Sequence, residues 1–231
     1  MGEGSQNAAA SQVDERVLSQ LEALEIDARL PLLAVDVDEV LVGLAGHLGT
    51  FAAENGYTLR LTGYQLDGAL RRGDGSQASP EEFRKLFSDF FETQTLHQRV
   101  YPDAAQVLNA LAGRAQVIIL TNVPPFAEAA RIANLRGHGI EFPLVVNHGG
   151  KGRALAWMAQ RTTGPLIFID DSPTQISSAA KHAPDTVRLH FVGDDHLRTL
   201  LEPHPEAAHA PTTWRKIDAV LQEIIGGPRP L

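Results

Sequence analysis

The sequence contains no cysteine. That excludes disulfides, thiolate nucleophiles and zinc–thiolate centres, and it suits a reducing compartment. There is also no run of the roughly 20 apolar residues that a membrane-spanning helix needs. The first dozen residues are small and polar, without the apolar core of a secretory signal. Basic charge is short as well: 20 Lys and Arg stand against 28 Asp and Glu, a net charge of -8. Nucleic-acid phosphates draw basic surfaces, so an acidic chain is poorly matched to such a polymer. The expectation is a soluble, cytoplasmic protein with neither a membrane nor a nucleic-acid polymer as partner. A local pocket for one small phosphorylated molecule remains compatible with that charge.

What is present is enough apolar material for a core. Hydrophobic residues make up 43% of 231, which suits one sizeable α/β domain, or a core with a small insert. Residues 1–12 read as a disordered tail. Val13 to Ala28 has helical spacing, with Val17, Leu18, Leu21, Leu24 and Ile26 in one stripe, and Pro31 ends it. Leu32-Leu33-Ala34-Val35 is a continuous apolar run closed by Asp36 and Asp38, the pattern of a buried parallel strand with polar residues at its carboxyl end.

The next stretch, 44–100, reads as a helical insert without a convincing long strand. Leu44 to Glu54 is one helix, and Thr62 is placed to cap a short one through Arg71. Ser79-Pro80-Glu81-Glu82 starts another: a capping hydroxyl, proline in the first turn, then acids facing the dipole. Beyond Pro102, helices and strands alternate: helix from Asp103, strand 117–120, helix from Pro124, strand 144–146, helix from Lys151, strand 166–169, helix from Thr174, strand 187–192. Such alternation implies right-handed crossovers and a Rossmann-like parallel sheet with helices on both faces. Ligands then bind beyond the carboxyl ends of the strands. The core would be 13–43 with 101–231, and the insert 44–100 a cap.

Three of those strand ends are polar: Asp36-Val37-Asp38, Thr121-Asn122 and Asp170-Asp171. Gathered in one crevice, their carboxylates repel unless a cation sits among them. Hard oxygen ligands select Mg²⁺, which also binds phosphate oxygens. Gly149-Gly150-Lys151-Gly152 lacks the spaced first glycine and the Ser or Thr after lysine that a nucleoside-triphosphatase loop needs. A lysine at a helix start opposes the dipole, which points to a role for Lys151, with Arg153 and Lys181 as substitutes. Asp194-Asp195 reads as a helix cap, and His204 and His209 as surface residues.

The ordered set resembles the four motifs of the haloacid dehalogenase superfamily. Leu33 to Leu41 is similar to the first, Ile118 to Asn122 to the second, Lys151 to the third, and Ile167 to Ser172 to the fourth. The resemblance spans Leu32 to about Val192. It implies a haloacid dehalogenase-like fold with a helical cap of the first class, resembling deoxynucleotidases and phosphoglycolate phosphatases. It implies Asp36 as nucleophile and metal ligand, and Asp38 as general acid and base with a backbone carbonyl on the metal. Thr121, Asn122 and Lys151 would bind the phosphoryl group, Asp170 would ligate Mg²⁺, and Asp171 would support the metal. The implied function is Mg²⁺-dependent hydrolysis of a small phosphate monoester, nucleotide or metabolite, through an aspartyl-phosphate. Haloacid dehalogenases lack an acid at the position of Asp38, since a halide leaves unprotonated, so the pair favours phosphate esters.

The sequence departs from the family at Glu39, where most members carry glycine. An acid there would weaken binding of anionic substrates or shape a different one. Among the insert's aromatics, Phe51, Tyr57, Tyr64 and Phe91 offer either stacking for a base or packing within the cap, and packing carries more weight. Arg71 and Arg72 read as a solvated pair rather than substrate contacts. Three alternatives stay open: a non-catalytic binding or regulatory protein of this fold, a phosphotransferase, or a protein phosphatase. Homodimerisation through the cap or the last helix is a further expectation.

Overall fold

A computed structural model of the chain describes residues 13–64, 66 and 68–226. The tail expected over 1–12 lies outside the described residues. Helix α1 (Glu15–Glu22) starts at Asp14, whose carboxylate accepts from the Arg16 N–H. It stops well before Ala28. Leu24 and Ile26 still pack on the core from a non-helical segment.

Strand β1 (Leu32–Val35) is wholly buried and leads straight to Asp36. The insert follows: α2 (Ala45–Glu54), β2 (Tyr57–Leu59), β3 (Leu70–Arg72), α3 (Pro80–Gln94) and a 3-10 turn, Thr95–His97. The core resumes with α4 (Ala104–Asn109), β4 (Gln116–Thr121), α5 (Glu128–Gly137), β5 (Leu144–Val146), α6 (Gly152–Ala159) and β6 (Leu166–Asp170). It finishes with α7 (Pro173–His182), β7 (Val187–His190), α8 (Asp195–Thr199) and α9 (Trp214–Ile225). The Asp194 cap is present, its Oδ1 accepting from Leu197 N–H at 2.7 Å.

The core sheet has five parallel strands in the order β5-β4-β1-β6-β7. Period-two alternation divides its apolar side chains between two layers. Leu33, Val35, Ile119 and Ile169 pack under α4 and α9; Leu32, Ala34, Ile118 and Phe168 pack under α1, α6 and α7. Register does the rest. Val35 faces Ile119 on one side and Ile169 on the other, so Asp36 and Asp170 emerge at the same edge of the sheet, with Thr121 beside them.

The insert corrects one expectation. Among the described residues no helix runs from Thr62 to Arg71; β2 and β3 pair antiparallel, Tyr57 opposite Arg72 and Leu59 opposite Leu70. Gly68 takes a left-handed φ of 73° there, which a helix does not admit. The strands are three residues each, too short for alternation to announce them. The α3 start is as expected: Ser79 and Glu82 form a reciprocal capping box with Pro80 in the first turn.

Candidate active site

The crevice at the carboxyl edge of the sheet is built around one buried lysine. Lys151 precedes the first turn of α6 and is only 1% exposed. Its Nζ lies 2.7 Å from Asp36 Oδ1 and 2.7 Å from Asp170 Oδ2. Gly152 makes this approach possible: a Cβ on it would stand 2.0 Å from the Ser178 carbonyl oxygen of α7. The glycine run 149–152 therefore seats one helix on another. Burial works against the lysine's charge, but the carboxylates of Asp170 and then Asp36 outweigh it and hold the ammonium above the usual lysine range.

Carboxylates outnumber that one ammonium. Oxygens of Asp36, Asp170 and Asp171 all lie within 4.8 Å of one another. Burial is the first cause that raises the proton affinity of both Asp170 and Asp171; for Asp171 the neighbouring Asp170 and Asp36 charges add to it. Asp170 Oδ1 is satisfied by the Ser172 N–H at 2.8 Å. Asp171 Oδ1 is buried without a hydrogen-bond partner. An orphaned carboxylate oxygen beside two more acids is the donor set of a hard divalent cation.

Thr121 is fully buried at the end of β4, its Oγ1 accepting from the Val123 N–H. The Asn122 side chain turns aside: Nδ2 donates to the Gly149 carbonyl and Oδ1 accepts from Asn147. It braces the loop that delivers Lys151.

Asp38 points to a different partner. Its Oδ1 accepts from Arg131 Nη2 at 2.7 Å, and the same nitrogen donates to Gln98 Oε1 at 2.7 Å. Arg131 is fully buried on α5, and Gln98 lies on the return linker from the insert. Burial raises the proton affinity of Asp38, and the Arg131 charge opposes it.

The sequence matches no protein-family model and no curated protein. Solved structures do match. A HAD family hydrolase from Deinococcus radiodurans, solved with bound phosphate and sodium, superposes with a TM-score of 0.59 at 17% identity, over 87% of this chain and 100% of its own. A haloacid dehalogenase-like protein from Agrobacterium tumefaciens gives 0.58 at 16%, over 85% and 100%. A phosphonoacetaldehyde hydrolase-like protein from Oleispira antarctica gives 0.57 at 13%, over 90% and 99%. The chain has the haloacid dehalogenase-like fold.

Within that fold, Asp36, Lys151 and Asp170 are in direct contact, Asp38 is close enough to interact with the charges of Asp36 and Lys151, and Thr121 ends the strand beside β1. The cation that reaches Asp36 and Asp170 is Lys151 itself. Glu39, the departure from the family pattern, has a left-handed φ of 59°. Its carboxylate does not face the crevice freely. Oε1 accepts from the backbone N–H of Leu44 and Ala45 at the start of α2, and Oε2 accepts from Tyr101 Oη at 2.7 Å. Tyr101 fits because Gly193 has no side chain: a Cβ there would lie 2.2 Å from its ring. Glu39 thus ties the first loop of the site to both connections of the insert.

Three residues were missed in the sequence. Arg131 and Asn134 fall in the apolar stripe of α5, at the helical spacing of buried Ala127 and Leu135; two polar residues on a core-facing stripe are a readable signal. His190 offers no such signal. It is buried beside Asp171, with Nε2 2.9 Å from the Asp171 carbonyl and Nδ1 accepting from the His204 N–H.

The insert's aromatics mostly pack, as weighted. Phe51 meets Phe90 with ring centroids 5.7 Å apart, Phe87 meets Phe91 at 4.8 Å, and Tyr57 donates to Glu82. Tyr64 differs. It lines the cavity that Asp171 also borders, and burial followed by the Asp171 and Asp170 charges keeps its phenol neutral.

Proposed function

We propose that this chain is a Mg²⁺-dependent phosphohydrolase that cleaves a small phosphate monoester through an aspartyl-phosphate on Asp36. The observation that carries the reading is Lys151 clamped between Asp36 and Asp170 beside the unpartnered oxygen of Asp171. Three acids with one ammonium retain surplus negative charge, which a divalent ion would neutralise. Bound phosphate in the similar Deinococcus structure accords with this.

Asp36, Asp170 and the Asp38 backbone carbonyl would hold the ion, with Asp171 in support. When bound, it supplies positive charge to the phosphoryl oxygens. Asp36 attacks phosphorus, and the bond to the leaving oxygen breaks. Asp38 gives that oxygen its proton, then takes one from the water that attacks the aspartyl-phosphate, releasing Asp36 and inorganic phosphate. Such acid–base help is worth about 10²–10⁴-fold. The raised proton affinity of Asp38 is the direction a general acid needs. Lys151 and Thr121 steady developing negative charge on the transferred group. Asn122 acts through the 147–151 loop and, by its side chain, not on the phosphate.

The fold alone is compatible with phosphotransfer or pure binding, and turnover decides. Hydrolysis of p-nitrophenyl phosphate is expected to need Mg²⁺ and Asp36 together, with Asp36→Asn at background. Equal rates in parent and Asp36→Asn would discard the reading. No helix among the described residues is long and apolar enough to cross a membrane.

A further inference from the structure

The reading above leaves open which alcohol carries the phosphate. A cavity of about 360 Å³ opens where the insert meets the core, with Asp171 of the acid cluster in its wall. That is within the size range of small-molecule sites, roughly 300–1,000 Å³. Leu44, Ala45, Leu61, Leu66 and Leu197 line it, with Gly63, Tyr64 and Thr174 alongside. Tyr64 shares this cavity's wall with Asp171.

Charge sets what the cavity accepts. Among the described residues no lysine, arginine or histidine lines it. Its ionisable walls are Glu39 and Asp171, together with the neutral Tyr64. Both Glu39 oxygens already accept hydrogen bonds from Leu44, Ala45 and Tyr101. A second anionic group on the substrate would be desolvated there against acids, with no counter-charge. A sugar's hydroxyls would find few partners. Three of the insert's cations are engaged elsewhere, Arg71 with Gln77, Arg72 with Glu82 and Lys85 with Asp89. Phe51 and Phe91 pack in a cluster shared with the core residues Val123, Ala127 and Val146 rather than offering a stacking platform.

We propose that this cavity holds the hydrocarbon part of the substrate, so that the chain acts on phosphate monoesters of small, uncharged, apolar alcohols. The inference rests on the phosphohydrolase reading and narrows it, away from nucleotides and phosphorylated acids.

The test is a rate series with Mg²⁺. Values of kcat/KM are measured for ethyl to n-pentyl phosphate, and for phosphoglycolate, thymidine monophosphate and phosphoethanolamine. Each added methylene is expected to raise kcat/KM by about fourfold until the cavity is filled. Phosphoglycolate and thymidine monophosphate should fall at least tenfold below n-pentyl phosphate; phosphoethanolamine should fall below it by less, because its ammonium is desolvated where both Glu39 oxygens are already taken but faces acids rather than cations. Leu61→Arg, at a half-buried wall position, should invert the preference between n-pentyl phosphate and phosphoglycolate. A flat chain-length series, or a best substrate that carries a second charge or a base, overturns the proposal.

Binding separates this inference from the reading beneath it. Calorimetry on the parent protein compares n-pentylphosphonate with 3-phosphonopropionate, neither of which can be hydrolysed. Tighter binding of the pentyl compound supports the cavity assignment even if no ester is turned over, an outcome that sinks only the hydrolase reading. Equal or weaker binding of the pentyl compound overturns the assignment.

Discussion

The crevice and the insert handle charge in opposite ways. In the crevice, Asp36, Lys151, Asp170 and Asp171 are all nearly excluded from solvent and depend on one another. In the insert, the ion pairs lie at the surface: Lys85 with Asp89, and Arg72 with Glu82, all with substantial exposure. The insert's interior is instead phenylalanine on leucine. Exposed pairs are individually weak, whereas breaking a buried one leaves a charge stranded. The comparison therefore predicts a steep hierarchy of mutational effects.

Lys151→Met should give the largest. It removes the one ammonium from among three buried acids. A loss of about 3–5 kcal/mol in urea unfolding is expected without metal, and turnover should fall by at least 10²-fold, as for other lost oxyanion partners. Mg²⁺ should restore part of the stability and little of the rate. A change under 1 kcal/mol would show that the crevice carries no electrostatic tension.

Mg²⁺ itself should stabilise the parent protein, read as a rise in Tm that grows with concentration. Asp171→Asn should blunt that rise, because it replaces the unpartnered oxygen with an uncharged amide group. The same titration with Glu82→Gln should match the parent, since that residue lies in the insert far from the acids in the hydrogen-bond network. If Asp171→Asn responds like the parent, the unpartnered oxygen takes no part in holding the ion.

Glu39 stands between the two regions, and its substitution should have an intermediate effect. Glu39→Gly relieves a left-handed backbone, which for a non-glycine residue costs about 1–3 kcal/mol. It also strands two backbone N–H groups and the Tyr101 hydroxyl, at about 1–3 kcal/mol for each buried group. Two or three lost partners outweigh one relieved strain, so net destabilisation is expected in chemical unfolding. Tyr101→Phe should lose less, because only one bond goes. Stabilisation by Glu39→Gly would mean that the tie to the insert is incidental.

The same contrast explains what could be read from the chain. The strand ends at Asp36, Thr121 and Asp170 were legible because each follows a buried apolar run, and parallel register brings such ends into one row. The row's partners were less so. Arg131 reaches Asp38 from a helix whose pairing with β1 is fixed only by the tertiary fold. Tyr64 gives no local sign that it will sit over Asp171. The hairpin at 57–59 and 70–72 went unread because its strands are three residues long and its loop is glycine-punctuated. Short-range chemistry announces itself in sequence; a contact made between an insert and a core does not.

Glu82 should give the smallest effect, and its pH signature is opposite in sign to that of the crevice acids, whose proton affinities are raised. Its carboxylate accepts from Arg72 and from the Ser79 N–H, closing the capping box of α3. Those bonds, the Arg72 one first, depress its pKa from 4.5 to about 2. A depressed carboxylate stabilises the fold at every pH above the unfolded value, and the contribution fades as pH falls through the folded one. Glu82→Gln should therefore lower Tm slightly at pH 7. The gap to the parent should stay constant down to about pH 4.5 and narrow steadily below it. Glutamine keeps the shape and loses only the charge, so the narrowing isolates the ionised pair from the cap geometry. A gap that persisted unchanged at pH 3 would assign the loss to the cap alone, and the surface pair would then contribute nothing.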